Sequence, residues 1–160
     1  MVSLYEKKEQ IFGQFRTGVY PTRKNDISTN IKALKEGNCF VTNAPLLNIT
    51  FQSDGSVYSM GSVVNAVNGI LNISVISTPE FGKIKKIVIK KGVIGERKEI
   101  DYFSIINPKM YELNKSIEIY ADSKCYYRCE VKLESQGGNK MFALTNPIWL
   151  FPNIMEDVLN

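Results

Sequence analysis

Basic residues crowd one stretch of this chain: Lys83, Lys85, Lys86, Lys90, Lys91, Arg97 and Lys98. Such a run could hold phosphates or an anionic surface. It has no interleaved aromatic residues on which bases could stack, and lysines alternating with apolar residues suit the wet face of a strand, where they also guard an edge against pairing with another chain. A nucleic-acid partner is therefore not expected. Cys125 and Cys129 are the only cysteines close in sequence; with Cys39 far away, a metal knuckle would need two more ligands. A strand does not bring residues four apart together as a helix would, so the pair reads as one buried thiol and one loop thiol. Ser53-Asp54-Gly55-Ser56 begins like an acidic metal loop but lacks the further acidic positions and the distal glutamate, which leaves a turn. Tyr126, Tyr127 and Trp149 could line a sugar-binding face, although aromatics on short strands ordinarily serve packing.

Histidine is absent from all 160 residues, which removes the commonest general base and the commonest metal ligand together. No glycine-rich phosphate loop, nucleophile elbow or paired-carboxylate constellation occurs. We therefore assign no catalytic residue, no metal ligand and no cofactor, leave ligand-binding residues open, and do not expect an enzyme in this chain by itself.

The length suits one domain, or a domain with an attached arm, and 44% hydrophobic residues are too many for a disordered chain. A net charge of +4 gives at most a weak attraction to polyanions. Three cysteines without framework spacing read as reduced thiols in a cytoplasmic protein. Residues 1–8 contain no long apolar run, so no signal peptide is expected, and no stretch has the apolar length of a membrane span. Asn48-Ile49-Thr50, Asn72-Ile73-Ser74 and Asn114-Lys115-Ser116 match the glycosylation triplet and are read as chance occurrences within strands.

These residues must be positioned mainly by strands. Between Asp122 and Leu150, Tyr127, Cys129, Val131 and Leu133 alternate with Arg128, Glu130, Lys132 and Glu134, the period of a strand with one buried face. Gln136-Gly137-Gly138-Asn139 allows the chain to reverse into a second strand, Lys140 to Thr145, which Asn146-Pro147 stops. The spacing Asp122…Tyr127…Cys129 resembles a tyrosine corner, and no antibody-type disulfide is expected because residues 70–77 lack cysteine.

Upstream, Leu47, Ile49 and Phe51 alternate, as do Leu71, Ile73 and Val75, and Ile117 with Ile119. A strand over 84–90 is expected to end in a tight turn at Lys91-Gly92. About seven to nine short strands at this spacing predict an antiparallel, immunoglobulin-like sandwich over 46–160. Residues 1–45 form a short α/β arm with one or two helices: a weak one over 3–15, and one over about 27–36. The second has N-cap oxygens at Asn25, Asp26 and Ser28, a stripe of Ile27, Ile31 and Leu34 at i, i+4 and i+7 on one helix face, and Gly37 as its stop.

Two stretches carry a family resemblance. Arg16-Thr17-Gly18-Val19-Tyr20, followed by residues 31–46 (Ile31-Lys32-Ala33-Leu34-Lys35-Glu36-Gly37 through Val41-Thr42-Asn43-Ala44-Pro45-Leu46), resembles the final strand, helix and exit segment of PHP-type (polymerase and histidinol phosphatase) metallohydrolases. Ala44 stands where that family usually has glycine. Tyr127 to Val131 and Ala143 to Leu150 are similar to the last hairpin of the subgroup with a C-terminal β-sandwich. The resemblance implies that residues 1–45 are the remnant of the end of a PHP-like barrel. The family's metal-binding histidine motifs lie upstream of this region, and none can be carried over.

The expected function is thus a non-catalytic accessory module of a PHP-like, metal-dependent phosphoesterase, on a shortened chain or a separately encoded piece. Its partner would be the PHP-like catalytic barrel, in cis or in trans, with self-association through an exposed strand edge as a further option. The alternative is a stand-alone immunoglobulin-like module that binds a protein or a carbohydrate. An apolar, uncovered surface on residues 1–45 would favour the first reading; a closed, polar one would favour the second.

Overall fold

Alternation decides most of this molecule. The computed structural model describes residues 15–21, 26–134 and 140–152. In chain order the elements are β1 (Arg16–Val19), α1 (Ile27–Lys35), β2 (Cys39–Thr42), β3 (Leu46–Ser53), β4 (Ser56–Ser59), β5 (Val63–Val64), β6 (Asn68–Ile76), β7 (Ile84–Val93), β8 (Ile100–Ile106), β9 (Glu112–Tyr120), β10 (Cys125–Leu133), β11 (Phe142–Thr145) and β12 (Ile148–Leu150). The described chain is mainly β, and its strands form two sheets. One runs β4-β3-β6-β9. The other is centred on β10, with β7 and then β8 on one side; β11 and β12 lie end to end on the other, Asn146-Pro147 stepping the chain between them.

Both sheets turn their apolar faces to one core. Leu47, Ile49 and Phe51 of β3, Leu71, Ile73 and Val75 of β6, and Cys125, Tyr127, Cys129, Val131 and Leu133 of β10 are all buried within it. The inward face expected of β10 is the observed one. β3 and β4 are joined by Asp54 and Gly55 at φ 50° and 75°, the left-handed pair that a two-residue hairpin turn needs. Residues 135–139, where the other hairpin turn was expected, lie outside the described residues, as does the segment 3–14 of the weaker helix.

Three expectations need correction. First, β7 runs through Lys91-Gly92 without a turn, and Gly92 pairs with Tyr126. A Cβ on Gly92 would lie 2.2 Å from the Tyr126 ring, so this glycine makes room for an aromatic rather than reversing the chain. Second, β7 is not an edge: β10 and β8 flank it. Third, no tyrosine corner forms, because the buried Tyr127 hydroxyl has no hydrogen-bonding backbone partner.

The boundary expected at residue 45 falls where the chain passes from β2, in the larger sheet, to β3, in the smaller. β1 and β2 pair antiparallel and add to that larger sheet through β11, covering an edge that would otherwise be open.

Candidate functional site

Capping sets the helix. Asp26 accepts from the Thr29 amide at 2.9 Å, and Thr29 Oγ1 accepts in return from the Asp26 amide at 3.1 Å, a reciprocal capping box. The Thr29 amide, with help from the Ser28 hydroxyl, holds the exposed Asp26 carboxyl below its ordinary range. At the other end the Gly37 amide donates to Leu34 O and the Asn38 amide to Ala33 O, with Gly37 at φ 73°. That is a Schellman stop.

The apolar stripe of α1 does not face the core. Ile27 is 80% exposed and Ile31 and Leu34 are each 48% exposed; Ala33 is the buried residue of α1. The periodicity was real, but the small flank, not the large one, meets the domain.

What fastens α1 is its exit. Asn146 donates from Nδ2 to Gly37 O at 3.0 Å and to Cys39 Sγ at 3.2 Å, while its amide donates to Cys39 O. Gly61 meets the same junction: a Cβ there would lie 2.0 Å from Glu36 O. Asn38, buried, donates to Tyr20 O and ties β1 to the exit. Asn43 then bonds both main-chain groups of Phe142, with its Oδ1 accepting at 2.7 Å and its amide donating at 3.2 Å. The two stretches that carry the family resemblance are therefore neighbours in space, joined by the β2–β11 ladder and the Asn146 junction. From sequence Asn146 was read only as part of a strand stop and Gly61 was given no role, because their partners are distant in the chain.

The basic run is dispersed. Lys90 meets Asp101 at 2.5 Å and Lys86 meets it at 4.0 Å on the outer face of the larger sheet; Lys91 points the other way, 3.6 Å from Asp122. Lys83 lies over the Tyr111 ring. On that outer face Arg128 grips Glu99 by a two-point fork, 2.7 and 2.6 Å, and reaches Glu130 at 2.8 Å. The fork holds the Glu99 carboxyl below its ordinary range against the opposing effect of partial burial. Neighbouring carboxylates thus occupy several of these cations.

Cys125 and Cys129 both point into the core, which corrects the expectation of a loop thiol; all three cysteines are free. Burial pushes each thiol's pKa up, so none is poised as a nucleophile. Ser53 to Ser56 is the β3–β4 turn, without gathered ligands, and no group of three or more His, Cys, Asp or Glu that could hold a metal ion occurs among the described residues.

Tyr126 and Trp149 lie side by side on the outer face, ring centroids 4.8 Å apart and ring planes tilted by 53°, with Phe151 beyond them; Tyr127 is inside and separate. The Tyr126 hydroxyl donates to Glu99 at 3.0 Å, so that side of the pair is engaged in the charged network. Among the described residues no helix is long and apolar enough to cross a membrane.

No family model, curated protein or solved structure matches this chain. The geometry therefore stands without a relative beside it.

Proposed function

We propose that this chain is a non-catalytic accessory module of a PHP-like metal-dependent phosphoesterase, and that α1 docks it on the catalytic barrel. The observation that carries the reading is the uncovered stripe of Ile27, Ile31 and Leu34 on a helix that is well capped at both ends. An amphipathic helix that leaves its large apolar side chains in water is one whose stability asks for cover. The barrel is the occupant we favour, because the resembling residues 16–20 and 31–46 are those that leave a barrel in that family. The Asn146–Gly37–Gly61 junction would hold the exit rigidly, so that the sandwich sits at a set angle to its partner.

The immunoglobulin-like reading of the sandwich is supported by strand order. The sheets β3-β6-β9 and β8-β7-β10-β11 have the A-B-E and C′-C-F-G arrangement, with chain crossings after β6, β8 and β9.

The test is association. The purified chain should bind a PHP-type barrel that has been freed of its own C-terminal sandwich, and a variant combining Ile31→Lys and Leu34→Lys should lose that binding while melting normally. Equal binding by the variant would refute docking through α1. Metal at about one ion per chain, with phosphoester turnover that chelation abolishes, would overturn the non-catalytic role.

A further inference from the structure

The three Asn-x-Ser/Thr triplets fall on three adjacent strands, β3, β6 and β9. Pairing brings them into register: Asn48 lies opposite Ser74, which lies opposite Asn114, and Thr50 opposite Asn72, opposite Ser116. Ile49 and Ile73 between them are buried at 0% and 2% exposure, so the first and third residues of these triplets face outward. Two rows of three short polar side chains result, about 4.8 Å apart between strands and roughly 7 Å apart along them. A shallow hollow of about 200 Å³ lies over these rows.

The chemistry of this face is selective. Asparagine is disfavoured in strands, yet it stands in the middle of three of them. Charge, meanwhile, is kept out of both rows, whereas the outer face of the other sheet carries Lys86, Lys90, Arg128, Glu130 and Lys132. Glu112 and Glu118 flank the rows on the same face of β9, opposite Ile76 and Ile70, so the charges beside the hollow are carboxylates; Lys115, between Asn114 and Ser116, alternates to the other side of the strand and pairs with Ile73. Ser116 donates to Asn72 Oδ1 at 2.7 Å. The side chains of Asn48, Thr50, Ser74 and Asn114 make no hydrogen bond among the described residues, which leaves their donors and acceptors free.

An amide offers a donor and an acceptor side by side, and a hydroxyl offers both on one atom. That set matches a ligand whose own groups both donate and accept, and it has no cations with which to hold a phosphate or carboxylate. Tyr120 stands outward on β9 at the end of the same face, 63% exposed, with its ring free to lie against the apolar side of a pyranose. We propose that the outer face of β3, β6 and β9 is a binding site for a neutral oligosaccharide. The site is on a different surface from α1 and does not depend on docking to a barrel.

The test is an NMR titration of the ¹⁵N-labelled chain with cellohexaose, xylohexaose, mannohexaose and maltohexaose, with a heparin hexasaccharide as the anionic comparison. Saturable shifts of the Asn48, Asn72 and Asn114 side-chain amides with at least one neutral probe are expected. Asn72→Ala and Asn114→Ala should each weaken that binding about two- to tenfold, the range for one lost hydrogen bond, while Lys132→Ala leaves it unchanged. Asn114 is on the exposed edge strand, so its variant reports binding with least effect on folding. The proposal is overturned if no neutral probe gives saturable shifts, if the shifts gather at Tyr126 and Trp149, or if heparin binds more tightly. Amide shifts that follow protein concentration alone would also overturn it, assigning the face to a second copy of the chain.

Discussion

Replacing Val131 by aspartate puts a carboxyl on the inner face of β10, at a position that is 0% exposed and paired with Ile87 of β7 and Ala143 of β11. Losing the buried valine removes about 1.5–3 kcal/mol of apolar burial, and an ionised carboxylate with no partner adds several kcal/mol more. The sum is comparable with the whole stability of a domain, about 5–15 kcal/mol. Burial raises the folded-state pKa of the new group above its unfolded value of about 3.9. The folded state then holds a proton that the unfolded state releases. The ionisation penalty is therefore absent below about pH 4 and grows by about 1.4 kcal/mol per pH unit until the folded pKa is passed.

One residue along, Lys132→Asp is the control. Lys132 is exposed and stands opposite Lys86, so the change relieves a like-charge pair while adding a poor strand former. Its net effect should stay within about 1 kcal/mol of the parent. Urea melts at about pH 4 and pH 7 decide the matter, each variant taken as a difference from the parent, with Val131→Asn as a pH-independent comparison. An unfolded Lys132→Asp beside a stable Val131→Asp would refute the orientation of β10, because a one-residue slip exchanges the two faces. A Val131→Asp deficit that does not change with pH would refute the buried-carboxylate argument.

Further outcomes follow from the junction, the charged face and the thiols. The Arg128 fork depresses the Glu99 pKa, so its contribution is complete above the unfolded value of about 4.3 and is lost as pH falls through the lower folded value. Glu99→Gln should cost about 1–2 kcal/mol at neutral pH and flatten that acid limb; acid melts that superimpose on the parent's would argue against the pair. Gly61 and Gly55 both have positive φ, but only at Gly61 would a Cβ meet backbone. Gly55→Ala should cost about 1–2 kcal/mol and Gly61→Ala about 3–5 kcal/mol, with equal urea midpoints counting against the junction. A thiol count in denaturant without reductant should give three, and in the native protein the partly exposed Cys39 should react before Cys125 and Cys129.

What the sequence by itself determined is what neighbours in the chain can determine. The period of two placed the inner faces of β3, β6 and β10, and Asp26 and Gly37 marked the two ends of α1, because pleat and caps involve residues only a few positions apart. Tertiary structure decided the rest. Gly92 looked like a turn and proved to be the space beneath Tyr126, a residue of another strand. The lysines of β7 looked like an edge guard, yet two of them face Asp101 across an interior ladder. The stripe on α1 was legible as a stripe, but not as uncovered: amphipathicity says that one flank differs from the other, while the packed partner selects the flank. The Asn-x-Ser/Thr triplets were legible only singly; their alignment into two rows depends on strand register, which is set by the burial of Ile49, Ile73 and Ile119 across three strands.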